Sequence, residues 1–209
     1  MDIDVYIMAG GEQLRWKSGH IKQLMKVDGK KWSVIQRTFA LVEKYLKTTP
    51  VVVTQNIDIS LATNCHSNPD LCGASLCASM SRCIEVSEGD GALFLLGDVY
   101  YTRQAFKNIL SFNVPFFGNE VELFASKFNY EVYDRAMSVL YYASELHQDN
   151  PEVYKGKMWN MYYLWAGYDV LGHDFGKDFA LIEDDTCDFD TVEEFKEFRA
   201  KGVKDWFES

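Results

Sequence analysis

Residues Val5–Trp16 read VYIMAGGEQLRW: a compact apolar run, Val5–Met8, delivers two adjacent glycines, Gly10 and Gly11, and then Arg15, with Lys22 shortly after. An unbroken apolar run bounded by glycines reads as a strand buried on both faces of a parallel sheet. Glycines after such a strand let backbone N–H groups approach a phosphate closely, and Arg15 and Lys22 could neutralise its charge. Taken alone, the stretch is nearly as compatible with a plain strand-to-helix turn. It is not a Walker A loop, since no GK[ST] follows, and it lacks the GxGxxG spacing of a dinucleotide site.

The chain beyond it alternates between helical and strand patterns. Trp32–Leu46 carries apolar residues at helical spacing, PVVVTQ (Pro50–Gln55) is a β-branched strand, and Gly73–Val86 is helical through Leu76, Met80 and Ile84. ALFLLGD (Ala92–Asp98) is a third buried strand ending on a glycine and an acid, and TRQAFKNIL (Thr102–Leu110) is a short helix. This alternation predicts one α/β domain with a largely parallel sheet. VPFFGNEVELFASKF (Val114–Phe128) could supply one or two strands, and Tyr130–Gln148 and Gly156–Gly167 read as helices. Phe179–Gly202 reads as a strand, an acidic loop and a terminal helix, with Thr191 at its N-cap and Glu193 and Glu194 in its first turn.

Ligands of open parallel sheets bind at the carboxyl ends of the strands. Asp98 stands at such an end, where a carboxylate can hold Mg²⁺ or simply cap the next turn. EDDTCDFD (Glu183–Asp190) is a second acidic stretch. Such a cluster is usually a solvated loop, but Phe189 separates Asp188 from Asp190, so both carboxylates could point the same way. Acids from two separate strand ends are what a magnesium–triphosphate site requires.

Bulk composition narrows the function classes. Hydrophobic content of 47% and aromatic content of 15% fit a packed globular chain. The net charge of −10 disfavours nucleic acid as a bulk partner while leaving a nucleotide substrate open. The five cysteines form no CxxC pair and read as free buried thiols. There is no basic N-terminal region with a cleavage site and no run of membrane-spanning length, so the expectation is a cytoplasmic protein with no membrane partner. The four histidines are scattered, with no evident nucleophile–base pairing.

In combination these segments resemble the nucleotidyltransferase superfamily with the GT-A-like fold, particularly the MobA-like NTP transferases. The resemblance rests on MAGGEQLRW (Met8–Trp16), KQL (Lys22–Leu24) with Gly29, GASLCASM (Gly73–Met80), LFLLGDVYYT (Leu93–Thr102) and DFDTVEEF (Asp188–Phe195), in the family's order. It implies a three-layer, Rossmann-like α/β fold with a mostly parallel central sheet. Residues 1–112 would form the nucleotide-binding half, 113–180 the acceptor-binding region, and 181–209 the metal-binding loop and C-terminal helix. By the same resemblance, backbone groups of Ala9, Gly10, Gly11 and Glu12 would cradle the triphosphate, with Arg15 at the β- and γ-phosphates and Lys22 at the α-phosphate. Gly73 and Ser75 would sit by the base or ribose, and Asp98 and Asp190 would bind Mg²⁺, with Asp188 as alternative. The implied reaction transfers NMP from an NTP, CTP slightly before UTP or GTP, to a small phosphorylated acceptor and releases pyrophosphate.

The sequence also departs from the family. Trp16 and KSGHI (Lys17–Ile21) stand where many relatives have a glycine and a proline, and Asn113–Asp174 carries no recognisable family segment. YKGKMW (Tyr154–Trp159) offers Lys155, Lys157 and Trp159 for an acceptor, although surface charge and core packing are the commoner roles of such residues. Edge strands and the aromatic-rich segment could serve a homodimer. Two other functions use the same features: a GT-A glycosyltransferase consuming a nucleotide sugar, and a non-catalytic nucleotide-binding module. The first usually carries DxD at a central strand end, where this chain has Gly97-Asp98-Val99-Tyr100.

Overall fold

The computed structural model describes residues 2–10, 16, 19–28, 31–64, 66–167 and 175–202. The opening apolar run is strand β1 (Ile3–Met8), followed by a 3₁₀ turn at Lys22–Leu24 and the short strands β2 (Lys26–Asp28) and β3 (Trp32–Ser33). Next come α1 (Val34–Leu46), β4 (Val51–Val53), α2 (Ile57–Ala62), α3 (Leu76–Val86), β5 (Gly91–Leu96), β6 (Val99–Tyr100) and α4 (Arg103–Ser111). The second half supplies β7 (Phe116–Gly118), β8 (Leu123–Asn129), α5 (Tyr133–Asp149), α6 (Met158–Ala166), β9 (Phe179–Leu181), β10 (Cys187–Asp188) and α7 (Val192–Lys201).

Among the described residues, six strands form the central sheet in the order β4-β1-β5-β8-β7-β9. β1 is parallel to β4 and β5, β8 is antiparallel to both β5 and β7, and β9 is parallel to β7. Five of the six strands therefore point the same way, and β8 alone is reversed.

The uninterrupted apolar runs follow from helices on both faces of this sheet. Tyr6, Met8, Phe94 and Phe116 pack against α3, α5 and α6 through Met80, Leu140, Met161 and Trp165. Their neighbours Val5, Leu93, Leu95 and Phe117 pack on the opposite face against α1 and α4 through Leu41, Val42, Phe106 and Ile109. Burying one such side chain is worth about 1.5–3 kcal/mol. This is the three-layer α/β fold expected from the alternation, and the 113–180 region is part of the same sheet rather than a separate body.

Hydroxyl caps set the starts of α1, α3, α4 and α7, and the first three begin later than the apolar spacing alone suggests. Ser33 and Gln36 form a capping box, so α1 begins at Val34 while Trp32–Ser33 pairs with β2. Ser75 accepts from the Ala78 N–H, so α3 begins at Leu76 rather than Gly73. Thr191 caps α7 as its sequence implied, accepting from the Glu194 N–H while the Glu194 carboxylate accepts from the Thr191 N–H.

The four cysteines among the described residues, Cys72, Cys77, Cys83 and Cys187, are free thiols. Burial pushes Cys77 and Cys83 up to about 12. Among the described residues, no helix is long and apolar enough to cross a membrane.

Candidate functional site

With five strands co-directional, the segments that leave β1, β4, β5, β7 and β9 emerge at one edge of the sheet. The first pair is closely coupled: Gly97 donates its N–H to the Met8 carbonyl at 2.9 Å, and a Cβ on Gly97 would lie 3.0 Å from that of Ala9. A side chain at Gly97 would press on Ala9 and the Met8 carbonyl, so glycine suits this close approach of β1 and β5, and the next residue is Asp98. Ala9 donates to the Val53 carbonyl, and Thr54 returns a hydroxyl hydrogen bond to the Ala9 carbonyl. Gly10 faces the next loop, since a Cβ there would lie 3.6 Å from the Cys72 sulfur.

Lys22 occupies the centre. Ile21 and Leu24 on either side of it pack against the small core of Ile7, Ile35, Phe39, Val52 and Ile59. The Lys22 ammonium donates to Asp98 at 3.1 Å and to Asp188 at 2.5 Å, and lies 3.9 Å from Asp190. Its side chain is only 7% exposed. Burial alone would lower its pKa, but Asp98 and Asp188 outweigh that and hold it above the ordinary value. The lysine is therefore fully protonated.

Asp188 and Asp190 converge because Phe189 is buried between them. β10 pairs antiparallel with β6, setting Asp188 opposite Val99, one residue beyond Asp98. Phe189 points the other way, into a cluster with Trp16, Val34, Tyr100, Phe195 and Phe198. That cluster joins the end of the glycine loop, β6 and α7 under the acids, and so explains Trp16, which is buried rather than presented to a ligand.

A further acid completes the group. Glu122, at the β7–β8 turn, brings a carboxylate oxygen within 4.8 Å of oxygens of Asp188 and Asp190. Burial raises the Glu122 carboxyl, which the Asp188 backbone N–H opposes and Asp190 reinforces. Burial and the neighbouring Asp98 push the Asp188 carboxyl above its ordinary value, against the opposing pull of Lys22. Among the described residues, four carboxylates thus face the Lys22 ammonium. Clustered carboxylate oxygens are hard donors suited to Mg²⁺, so the residues present fit a divalent cation.

Several expected residues meet here and others lie apart. Lys22, Asp98, Asp188 and Asp190 come together; Arg15, Gly11 and Glu12 lie outside the described residues. Among the described residues, the trio whose oxygens lie near enough to share a cation is Glu122, Asp188 and Asp190, and Lys22 donates to both Asp98 and Asp188. Gly73 donates its N–H to the Ser79 hydroxyl, and Ser75 caps α3. The 155–157 loop packs beside Ser75, with the Gly156 carbonyl accepting from the Cys77 N–H. Lys155 is exposed and paired with Glu152 at 3.3 Å, and Lys157 is exposed at the start of α6. Trp159 is half-buried and donates its indole N–H to the Val121 carbonyl at 3.0 Å. Lys127 turns inward, donating to the carbonyls of Ile109, Leu110 and Phe112 at the end of α4.

Glu122 is the participant that the sequence did not single out. The available signal was Gly118-Asn119 between two apolar runs, a hairpin turn. Because β7 is co-directional with β5, that turn falls at the same edge as Asp98.

No protein-family model matches the chain, and no curated protein matches it in sequence. Solved structures do. The chain is similar to a Bacillus anthracis protein assigned as a glucose-1-phosphate thymidylyltransferase, with TM-score 0.58 and 12% identity over 99% of this chain and 98% of that one. It is similar to the CTP:phosphocholine cytidylyltransferase of Streptococcus pneumoniae, with TM-score 0.58 and 11% identity over 97% and 100% of the two chains. A CMP:2-keto-3-deoxy-manno-octonic acid synthetase complexed with CTP gives TM-score 0.58 and 11% identity over 99% and 100%. At this identity the likeness establishes the fold, which is the Rossmann-like arrangement of these nucleotidyltransferases.

Proposed function

We propose that the chain is a Mg²⁺-dependent nucleotidyltransferase that moves NMP from an NTP to a small phosphorylated acceptor and releases pyrophosphate. The observation that carries the reading is the buried Lys22 ammonium held among Asp98, Asp188 and Asp190 at the edge where β1 and β5 end. The full-length likeness in fold to nucleotidyltransferases supports it. CTP is the first nucleotide to test, since two of those proteins are described with CTP.

In this reading an acceptor phosphate oxygen attacks the α-phosphorus, the bond from the α-phosphorus to the bridging oxygen breaks, and pyrophosphate leaves with that electron pair. The Ala9 N–H is committed to the Val53 carbonyl, so Gly10, Gly11 and Glu12 would hold the triphosphate through backbone N–H groups, and Arg15 would neutralise its far end. Lys22 supplies a full positive charge where the α-phosphate accumulates charge, already oriented by its acids before substrate arrives. Asp98, Asp188, Asp190 and Glu122 are the residues that would hold Mg²⁺. When bound, the cation supplies charge neutralisation and alignment of the phosphates. Gly73 and Ser75 would border the base or ribose, and the 155–159 segment, with Lys155, Lys157 and Trp159, the acceptor. No covalent nucleophile is needed, because positioning and charge neutralisation carry the reaction.

Pyrophosphate release across the four NTPs with a panel of sugar and alcohol phosphates tests this. Lys22→Met and Asp98→Asn should each lower turnover by about a hundredfold or more. Turnover unchanged in both variants refutes the mechanism.

A further inference from the structure

Resting on that reading, we infer that Trp159 is a positioning residue: its indole N–H, through the Val121 carbonyl, holds Glu122 beside Asp188 and Asp190 as a third carboxylate for the divalent cation. The turn that carries Glu122 is closed internally. Asn119 accepts from the N–H groups of Val121 and Glu122 at 2.7 Å each, and donates its own N–H to the Glu122 carbonyl at 2.8 Å. Gly118 is required beneath it, since a Cβ there would fall 2.1 Å from the Glu122 carbonyl oxygen. These contacts fix the shape of the turn. The Ile182 N–H anchors its base on the Gly118 carbonyl at 2.7 Å, and the Asp188 backbone N–H meets the Glu122 carboxyl, which leaves the tip at Val121 to be held.

At that tip burial supplies little attachment. Val121 is 76% exposed, and Glu120 is exposed as well. The Trp159 N–H reaches across 38 positions of chain to the Val121 carbonyl. The indole is itself fixed, stacked at 5.6 Å and 21° on Tyr163 and at 5.9 Å and 12° on Phe179. Trp159 therefore ties the tip of the turn to a rigid aromatic shelf on α6 and β9. Because α6 begins in the segment assigned to the acceptor, the acceptor wall and the cation site are mechanically joined.

Calorimetric titration of the full chain with Mn²⁺, without nucleotide, tests this. Trp159→Phe keeps an aromatic ring on the shelf but loses the N–H, and should weaken Mn²⁺ binding roughly tenfold, as loss of an outer partner of a metal ligand does. Glu122→Gln should weaken it as well, and the double variant should bind no more weakly than Glu122→Gln alone. Wild-type affinity in Trp159→Phe, or losses that simply add, overturns the inference. As a measurement on the native tryptophan, the Trp159 indole N–H resonance should shift on Mg²⁺ addition in the wild type and not in Glu122→Gln; equal behaviour in the two overturns it. Asp188→Asn separates the two levels. If it too binds Mn²⁺ normally, the cation site itself is refuted; if it binds weakly while Trp159→Phe does not, only the positioning role falls.

Discussion

Replacing Lys22 with methionine removes the ammonium seated among Asp98, Asp188 and Asp190 while keeping a side chain of similar length. In the wild type it lies 3.1 Å from Asp98, 2.5 Å from Asp188 and 3.9 Å from Asp190. Removing one partner of a buried ion pair costs about 3–5 kcal/mol, because the remaining charge stays desolvated and unpaired. The lysine side chain is 7% exposed, but the three acids are 30%, 18% and 26% exposed, so water screens part of the penalty. The lower end, about 3 kcal/mol, is expected. For a chain of this size each kcal/mol moves Tm by about 2–4 °C, so Tm should fall by roughly 6–12 °C. Scanning calorimetry in a chelating buffer reads it directly. Excess Mg²⁺ should then restore a larger part of the lost Tm in the variant than it adds to the wild type, since it supplies the missing positive charge. A Lys22→Met protein as stable as wild type in chelator would refute the picture of acids held together by this lysine.

Nucleotide binding should depend on the cation, because four carboxylates repel a bare triphosphate: calorimetric affinity for the preferred NTP should fall at least about tenfold in chelator. Lys127→Met should cost about 1 kcal/mol in urea unfolding, through the three helix-end carbonyls it leaves, while Mn²⁺ affinity stays unchanged. Thr191→Ala should cost about 1 kcal/mol by the same method. It should also weaken Mn²⁺ binding, because the Glu194 carboxylate that caps α7 also accepts from the Asp190 N–H.

What could be read from the sequence was whatever local pattern determines. The runs Val5–Met8 and Ala92–Leu96 announce strands covered on both faces, and each is flanked in the structure by helices on both sides. Phe189 between two aspartates announced that both acids share a side, because its ring is drawn into the core with Phe195 and Phe198. Glu122 was not legible in the same way. Its position depends on β8 inserting antiparallel between β5 and β7, a long-range pairing that residue spacing along the chain does not encode. The β6–β10 ribbon is only two residues long on each strand, too short for alternation to appear. Helix α2 hides for another reason: Ile57 and Leu61 are exposed and Ile59 alone is buried, so its apolar residues do not form one stripe. Lys127 turns inward because the end of α4 presents carbonyls within its reach, a contact that no local pattern around it announces.

The central claim is that this edge of the sheet activates a nucleoside triphosphate for transfer to a phosphate acceptor. Phosphorus NMR of the wild-type protein with Mg²⁺, CTP or another NTP, and the panel of phosphorylated acceptors follows every product at once. The account predicts a pyrophosphate resonance growing in step with the paired resonances of a new phosphoanhydride, absent in chelator and in Asp98→Asn. Orthophosphate alone, or unchanged NTP with every acceptor while the triphosphate binds, would contradict it.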